Sequence, residues 1–224
     1  MRTVTKPSAA MKPRWWDDAA RDLARRDPVM RRLVRRYSGA SLKRRSDAFT
    51  ALARAITGQQ ISVKAADAIW RRFVVLAAPA QATRAFPRLD PSAVAAVPVA
   101  GLRAAGYSER KAAYVADLAA HFASGRLDPV GWRALDDEAL IAALVDVRGI
   151  GRWTAEMFLI FHELRPDVFP VDDLGVRKGV AVLYRRGAAM TPDEVRTFGE
   201  RWRPWRSAAT WYLWRSLDPV PLEY

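Results

Sequence analysis

The sequence contains no cysteine among its 224 residues and only two histidines, His121 and His162. The absence of cysteine excludes disulfide bonds, thiol catalysis, zinc knuckles and a cysteine-ligated iron–sulfur cluster. Two histidines are too few for a conventional histidine-based metal site. The sequence also lacks an apolar run long enough to span a membrane and the apolar segment of a secretory signal. We therefore expect a soluble intracellular protein.

Acidic residues are few relative to basic ones: 24 Asp and Glu stand against 37 Lys and Arg, which gives a formal net charge of +13. Most of the excess is arginine, whose guanidinium can hold a phosphate through two hydrogen bonds. This balance predicts a polyanionic partner, with nucleic acid favoured over a membrane surface. A solvated basic surface without a partner is the alternative. Half of the residues are hydrophobic, so a folded core is expected.

Apolar residues recur at helical spacing and strand signals are absent, which predicts an all-α fold. Residues 1–13 are polar and non-periodic, and we expect them to form a disordered or loosely ordered tail. Residues 14–224 are expected to form one helical domain of two lobes around a cleft, in which the N-terminal and C-terminal segments meet. The predicted helices cover residues 15–37 with a break at Pro28, 46–75 with a break at Gly58-Gln59-Gln60, and 91–97, 109–123, 136–145, 152–164, 173–184, 192–202 and 206–217.

A Gly-x-Gly turn, Gly149-Ile150-Gly151, joins two predicted helices in a hairpin at residues 145–155. Glycine has no Cβ, so backbone N–H groups in such a turn can approach an anion, and the start of the next helix adds partial positive charge. The amides of Gly149 and Gly151 are therefore expected to bind one phosphate. Glycine corners between helices are common, so the turn alone is weak evidence.

Two adjacent carboxylates, Asp172 and Asp173, follow the turn after one helix and one loop. A carboxylate held near a phosphate-binding turn indicates chemistry on nucleic acid rather than attachment alone. One of the pair is also expected to cap the helix that begins there. Capping and catalysis are compatible, because a helix N-terminus favours an ionised carboxylate.

Five segments together carry a resemblance to a known family. They are RGIGRWTA at 148–155, VFPVDDLGVRKG at 168–179, ITGQQISVKAA at 56–66, AGYSERKA at 105–112 and RPWRSAATWYLW at 203–214. This combination resembles the helix–hairpin–helix (HhH-GPD) DNA glycosylase superfamily, and within it the 3-methyladenine DNA glycosylase II branch in a short form. The resemblance covers residues 27–217.

The resemblance implies that Asp173 is the catalytic carboxylate. Alignment from Trp153 without gaps puts Asp173 on the essential position of the family, whereas a slip of one residue would select Asp172. Cleavage of an N-glycosidic bond builds positive charge on the deoxyribose, which a fixed carboxylate stabilises. Superfamily members that also cut the strand carry a lysine where this chain has Trp153. A tryptophan cannot form a Schiff base, so a monofunctional enzyme is expected.

The resemblance also implies a pocket for the flipped base, lined by Trp214, Trp153, Gln59 and Met157. An indole face attracts a cationic ring, so these tryptophans would favour alkylated bases. The alternative is that the tryptophans belong to the core. We assign Trp205 and Trp211 to that alternative.

Further implied residues would contact DNA or hold an ion. The residues expected to bind DNA are Gly149, Ile150, Gly151, Arg152 and Thr154 of the hairpin, with Gln60, Ser62 and Lys64. Gln60 matches the position of the wedge that fills the space left by the flipped base, although a hydrogen-bonded turn glutamine would also fit. Relatives hold a monovalent cation at the carbonyls that correspond to Val145, Val147 and Ile150, so the resemblance implies a structural Na⁺ or K⁺ there. No other cofactor is expected.

The function implied is base excision repair of alkylated DNA. The protein would flip alkylated purines, 3-methyladenine and also 7-methylguanine, out of double-stranded DNA and hydrolyse them to leave an abasic site. The alternatives are a non-catalytic helix–hairpin–helix DNA-binding module and a glycosylase for oxidised or deaminated bases. We expect a monomer without membrane contact, located in the cytoplasm and associated with the nucleoid in a bacterium.

Overall fold

The computed structural model describes residues 12–44 and 46–218, and every regular element within them is a helix. The predicted all-α fold is confirmed. The predicted tail at residues 1–13 lies outside the described residues, except for Lys12 and Pro13. Among the described residues, no helix combines the length and the apolar character that crossing a membrane requires.

The α-helices follow one another along the chain, with three short 3₁₀ helices between them. The α-helices are α1 Trp16–Arg26, α2 Pro28–Arg36, α3 Ala48–Gly58, α4 Val63–Ala77, α5 Pro91–Ala95, α6 Val99–Ala104, α7 Glu109–Ala123, α8 Asp137–Val145, α9 Arg152–Phe161, α10 Leu174–Tyr184, α11 Pro192–Gly199 and α12 Arg206–Leu217. The 3₁₀ helices are Pro79–Gln81, Gly131–Ala134 and Glu200–Trp202.

Most of the helices begin at a short polar side chain that accepts a hydrogen bond from a backbone amide of the first turn. Each such N-cap contributes about 1 kcal/mol, because it satisfies an amide that has no partner within the helix. At α11 the cap is reciprocal, since the Glu194 carboxylate also accepts from the backbone amide of Thr191 at 2.7 Å. The capping side chains are Asp27, Asp47, Ser62, Asp90, Ser108, Asp136, Asp173 and Thr191.

The chain divides into two compact units. Among the described residues, unit 1 consists of residues 12–44 and 159–218, and unit 2 consists of residues 46–158. Segments from both ends of the described chain therefore belong to unit 1.

Aromatic rings and one buried carboxylate hold unit 1 together. The rings of Trp16 on α1 and Trp211 on α12 meet edge to face, with their centroids 5.2 Å apart. Asp27 is buried, and its Oδ2 accepts hydrogen bonds from the Tyr184 hydroxyl at 2.8 Å and the Trp202 indole at 3.1 Å. Asp27 thus joins the start of α2 to the end of α10 and to the 3₁₀ helix Glu200–Trp202.

Helix α7 is at the centre of unit 2, where it packs against α3, α5 and α6. Its apolar face buries Val115 and Leu118 completely. Phe122 on the same helix packs edge to face on Phe49 at 5.3 Å and on Trp132 at 6.0 Å between centroids. Because α7 is buried along this face, its other faces can hold neighbouring loops in fixed positions.

The structure differs from the predicted helices in two places that have a local cause. Helix α9 ends at Phe161 rather than near residue 164, and Leu164 has a φ of +57°, which no helix can continue. Residues 99–104 form helix α6, whereas the sequence suggested a non-helical corner. Pro98 caps this helix in an extended conformation, and Gly101 packs against Leu76, from which a Cβ would lie 3.4 Å away.

Candidate active site

Asp173 is the N-cap of α10 in unit 1, with φ −70° and ψ 122°. Its Oδ1 accepts a hydrogen bond from the amide of Val176 at 2.8 Å and another from the indole N–H of Trp214 at 2.8 Å. The Asp173 side chain is half-buried, whereas Asp172 is exposed. Two donors on one oxygen fix the orientation of the carboxylate. Asp173 is therefore the member of the acidic pair that the fold holds in place.

Trp214 reaches Asp173 from α12, 41 residues along the chain. Its ring stacks on Phe161 at the end of α9, with centroids 5.5 Å apart and an angle of 10° between the planes. The stacking sets the plane of the indole, and the N–H group points to the carboxylate. Trp214 thus orients Asp173, a role that the sequence did not predict. Its role in the base pocket stays a prediction.

Gly175 makes the contact between Trp214 and Asp173 possible. A Cβ at this position would lie 2.8 Å from Cδ1 of Trp214 and 3.0 Å from Oδ1 of Asp173. The first distance is well below the ~3.5 Å at which carbon atoms normally meet, and the second is also tighter than ordinary van der Waals contact. One turn later, a Cβ at Gly179 would lie 3.0 Å from Cβ of Leu213. The two glycines, four residues apart on one face of α10, therefore allow α12 to approach closely.

We expect the substitution Gly175→Ala to lower the rate of base release about tenfold, because the indole must move and its charge-assisted hydrogen bond to Asp173 is weakened. Alanine is the better helix former, so lost helix propensity cannot explain the decrease. Single-turnover kinetics on alkylated duplex DNA measures the effect. Val182→Ala, at an exposed position of the same helix, is the matched control. An unchanged rate in Gly175→Ala would show that the indole contact is dispensable.

The turn between α8 and α9 lies in unit 2 and has the conformation that a Gly-x-Gly hairpin requires. Gly149 has a φ of +85°, in the left-handed region. The Ile150 amide donates to the Val147 carbonyl at 3.1 Å, and the Ile150 side chain is buried. Gly151 is exposed immediately before α9. The first amides of a helix have no partner within it, so this end of α9 can bind an anion.

Two hairpin side chains make contacts within the protein. The Arg152 guanidinium donates to both carboxylate oxygens of Glu138, at 2.8 and 2.6 Å, and to Glu156 at 3.1 Å. Hydrogen bonding to Glu138 is the main reason that the pKa of Arg152 is raised. The Thr154 side chain is buried, because its face of α9 packs inward. The Arg152 guanidinium is thus held by two carboxylates while it remains exposed, and the DNA contacts of Arg152 and Thr154 stay predictions.

Residues 58–62, called the corner below, connect α3 and α4 in unit 2. Gln59 is half-buried there, and its Nε2 donates a hydrogen bond to the Gly149 carbonyl at 2.9 Å. The sequence placed Gln59 in the base pocket, but in the structure its amide joins the corner to the hairpin. The pocket role of Gln59 stays a prediction and would require this hydrogen bond to open or be shared.

The remaining corner residues are on the surface. Gln60 is exposed and has a φ of +55°, which is uncommon for a residue other than glycine. Ser62 caps α4 by accepting from the Ala65 amide at 3.3 Å, and Lys64 is exposed in the first turn of that helix. An exposed wedge candidate beside a cationic helix start agrees with a DNA-facing surface, although the DNA contacts of these residues stay predictions.

Two predicted pocket residues lie on α9 in unit 2. The Trp153 side chain is 42% exposed in the first turn, and Met157, one turn later, is buried with 6% exposure. The exposed indole is accessible to a ligand, whereas Met157 is enclosed. Their contacts with a base stay predictions.

The carbonyl groups of Val145, Val147 and Ile150 are the expected ligands of a monovalent cation. Uncharged backbone oxygens are the donors that proteins use for such ions. Val145 is the last residue of α8, where carbonyls lack helical partners, and the Val147 carbonyl keeps one lone pair beyond its bond with Ile150. The donor chemistry therefore fits Na⁺ or K⁺. Elsewhere in the described part of the chain, no group of three or more His, Cys, Asp or Glu side chains could hold a metal.

Sequence reasoning missed three residues that shape these sites. Gly175 and Phe161 position Trp214, and Lys111 contacts the corner from α7. The only available signal was the pair of glycines at 175 and 179, whose spacing inside a helix indicates a close helix contact. Lys111 lies within AGYSERKA, one of the five segments that carry the resemblance, but the sequence indicated no role for it.

Comparison with known proteins gives consistent matches. Residues 53–204 match the family model described as HhH-GPD superfamily base excision DNA repair protein. DNA-3-methyladenine glycosylase 1 of Schizosaccharomyces pombe is 37% identical over 187 residues, which are 83% of this chain and 79% of that protein. A DNA-3-methyladenine glycosylase of Bacillus subtilis is 28% identical over 88% of this chain and 66% of its own length. The solved structure of S. pombe 3-methyladenine DNA glycosylase with abasic DNA has a TM-score of 0.76 at 32% identity, covering 91% of this chain and 99% of the other.

Proposed function

The chain belongs to the HhH-GPD superfamily of base excision DNA repair proteins, and we propose on that basis that it is a monofunctional DNA glycosylase for alkylated purines. Its relatives in S. pombe and B. subtilis are named as 3-methyladenine DNA glycosylases, which supports 3-methyladenine as the principal substrate. We propose 7-methylguanine as a second substrate, because alkylation at N3 or N7 gives the purine a positive charge and makes it a good leaving group.

The oriented carboxylate of Asp173 is the observation that carries this proposal. The bond between C1′ of the deoxyribose and the purine breaks, and the electron pair leaves with the base. The sugar then carries positive charge that the carboxylate stabilises, while a water molecule adds at C1′ and loses its proton. A purine that is already cationic departs as a neutral molecule. The reaction therefore needs no strong general acid.

Duplex DNA hides the target base, so the enzyme must turn the nucleotide out of the helix. The main-chain amides at Gly149, Gly151 and the start of α9 would bind a backbone phosphate. Gln60 would enter the space that the base leaves. The indole faces of Trp153 and Trp214 would attract a cationic base more strongly than a neutral one.

The wild-type protein is expected to release free 3-methyladenine from methylated duplex DNA and to leave the strand unbroken. Trp153 stands where a strand-cutting enzyme needs an amine, so no Schiff base with the sugar can form. Chromatography of the released bases, and denaturing gels before and after alkali, measure both outcomes.

Three other results would each contradict part of this proposal. Nicks before alkali treatment would show a strand-cutting enzyme. DNA binding without base release would indicate a non-catalytic DNA-binding module. Release of oxidised or deaminated bases, with methylated purines left in place, would redefine the substrate class.

The proposed repair role has further consequences for partners and location. The partner would be double-stranded DNA that contains alkylated bases, bound by a monomer, with Na⁺ or K⁺ at the carbonyls of Val145, Val147 and Ile150 as a structural ion. The protein would act in the cytoplasm, associated with the nucleoid in a bacterial cell, because its substrate lies there.

A further inference from the structure

Four side chains spaced by three or four residues on α7 face the two loops of unit 2 that carry the proposed DNA contacts. They are Lys111, Tyr114, Asp117 and His121, which share one face of the helix. The first contacts the corner at residues 58–62, and the other three contact the hairpin at residues 145–155. The role inferred for this face rests on the proposed function.

Lys111 holds the end of α3. Its Nζ donates hydrogen bonds to the carbonyls of Thr57 at 2.9 Å and Gln59 at 2.6 Å. The last carbonyls of a helix lack partners and carry partial negative charge, so an ammonium group is the favoured capping group. Partial burial lowers the pKa of Lys111. This lysine is therefore placed against the backbone rather than directed into solvent.

Tyr114 lies one turn further along α7 and packs beneath the glycine turn of the hairpin. A Cβ on Gly149 would overlap the Tyr114 ring, so the ring and the turn are in direct contact. The carbonyl of the same glycine accepts the hydrogen bond from Gln59. Gly149 is thus in contact with α7 through the Tyr114 ring and with the corner through the Gln59 hydrogen bond.

The last two residues of this face bind the hairpin through polar contacts. The Asp117 carboxylate accepts from the Arg148 amide at 2.9 Å and pairs with the Arg148 guanidinium at 3.3 Å. The Nε2 atom of His121 lies 3.1 Å from the Asp146 carboxylate. Together with Tyr114, these contacts fix the N-terminal side of the glycine turn, residues 146–149, to α7.

The backbone of Gln60 shows that the corner is constrained. A left-handed conformation in a residue other than glycine costs on the order of 1 kcal/mol and persists only where the surroundings enforce it. Before Gln60, the Gln59 carbonyl accepts from Lys111 and the Gln59 side chain donates to Gly149. After Gln60, the Ser62 cap fixes the start of α4. The exposed Gln60 side chain is consequently presented in one direction.

We propose that this face of α7 sets the distance between the wedge and the phosphate-binding turn, and that Lys111 is the positioning residue that directs Gln60 into DNA. Lys111 would then act on the opening of the base pair and not on cleavage of the glycosidic bond. Loss of Lys111 should lower the rate of base release most when the target base is paired. The rate should change little when the lesion has no opposing base, because flipping then costs less.

The test compares two 7-methylguanine duplexes, one with cytosine opposite the lesion and one with an abasic analogue opposite it. For Lys111→Met, the release rate of the paired lesion relative to the unpaired one is expected to fall about 30-fold, as the loss of two charge-assisted hydrogen bonds implies. Gln59→Leu should change the ratio in the same direction by a smaller factor. Lys111→Arg should keep most of the wild-type ratio of the two rates.

The ratio of the two rates does not depend on the fraction of folded enzyme, so a poorly folded variant still gives a decisive result. Arg71→Met, which removes one exposed cation from α4, is the matched control and should leave the ratio unchanged. Equal losses on both duplexes would mean that Lys111 only supports the fold. Failure of the wild type to release any base would overturn the proposed function itself, whereas a normal ratio in Lys111→Met overturns the positioning role alone.

Discussion

Replacing Asp173 with asparagine should lower the rate of base release about 1,000-fold, the loss that follows when a preorganised charge at a developing cation is removed. Asparagine has nearly the same shape and is an equally good N-cap. Its carbonyl oxygen can still accept from the Val176 amide and the Trp214 indole, which both bond Oδ1 in the structure. The decrease therefore measures the lost charge rather than a displaced helix. Single-turnover release from methylated duplex DNA is the measurement.

Asp172→Asn is the internal control, because the same change is made one residue away on an exposed side chain. Its rate should stay within about threefold of the wild type, as expected for a surface substitution. Binding of Asp173→Asn to an abasic duplex should be retained, since the hairpin amides are untouched. Full activity in Asp173→Asn together with an inactive Asp172→Asn would transfer the catalytic role to Asp172.

The helices with strong end signals could be predicted from the sequence. Ser108 before an apolar repeat gave α7 at residues 109–123, and the structure has the same bounds. The Thr191 capping box located the start of α11, but the helix ends at Gly199 and tightens into a 3₁₀ turn at residues 200–202. The start of a helix can be predicted because a capping side chain bonds the backbone a few residues away. The end of α11 has no comparable signal in the sequence.

The candidate site could be predicted only where its residues lie close together in the sequence. Asp173 could be selected because it lies 20 residues after Trp153 without a gap, within one continuous family motif. The contact with Trp214 joins residues 41 positions apart, and it depends on Gly175 having no side chain. The ion pairs that occupy Arg152 depend on Glu138, 14 residues earlier on another helix. Such contacts follow from the packing of helices, which sequence periodicity does not determine.

Gly149→Ala should weaken binding to abasic duplex DNA about 100-fold and destabilise the protein by about 3 kcal/mol. Two effects combine at this position. Alanine at a φ of +85° is strained, which accounts for about 1 kcal/mol. The new methyl group would also overlap the Tyr114 ring, so the ring must leave its place or the turn must move. Either movement disturbs the amides proposed to bind phosphate. Fluorescence anisotropy and urea denaturation measure the two quantities.

Gly125→Ala separates strain from steric overlap. Gly125 also lies in unit 2, with a φ of +77°, and nothing lies within 4 Å of the position that its Cβ would take. This variant should lose about 1 kcal/mol of stability and keep its DNA affinity, since only backbone strain is added. In Gly149→Ala combined with Tyr114→Ala, part of the lost affinity should return, because the overlap is removed. If Gly149→Ala binds DNA as the wild type does, the glycine turn is not the phosphate-binding element, and the amides at the start of α9 must act without it.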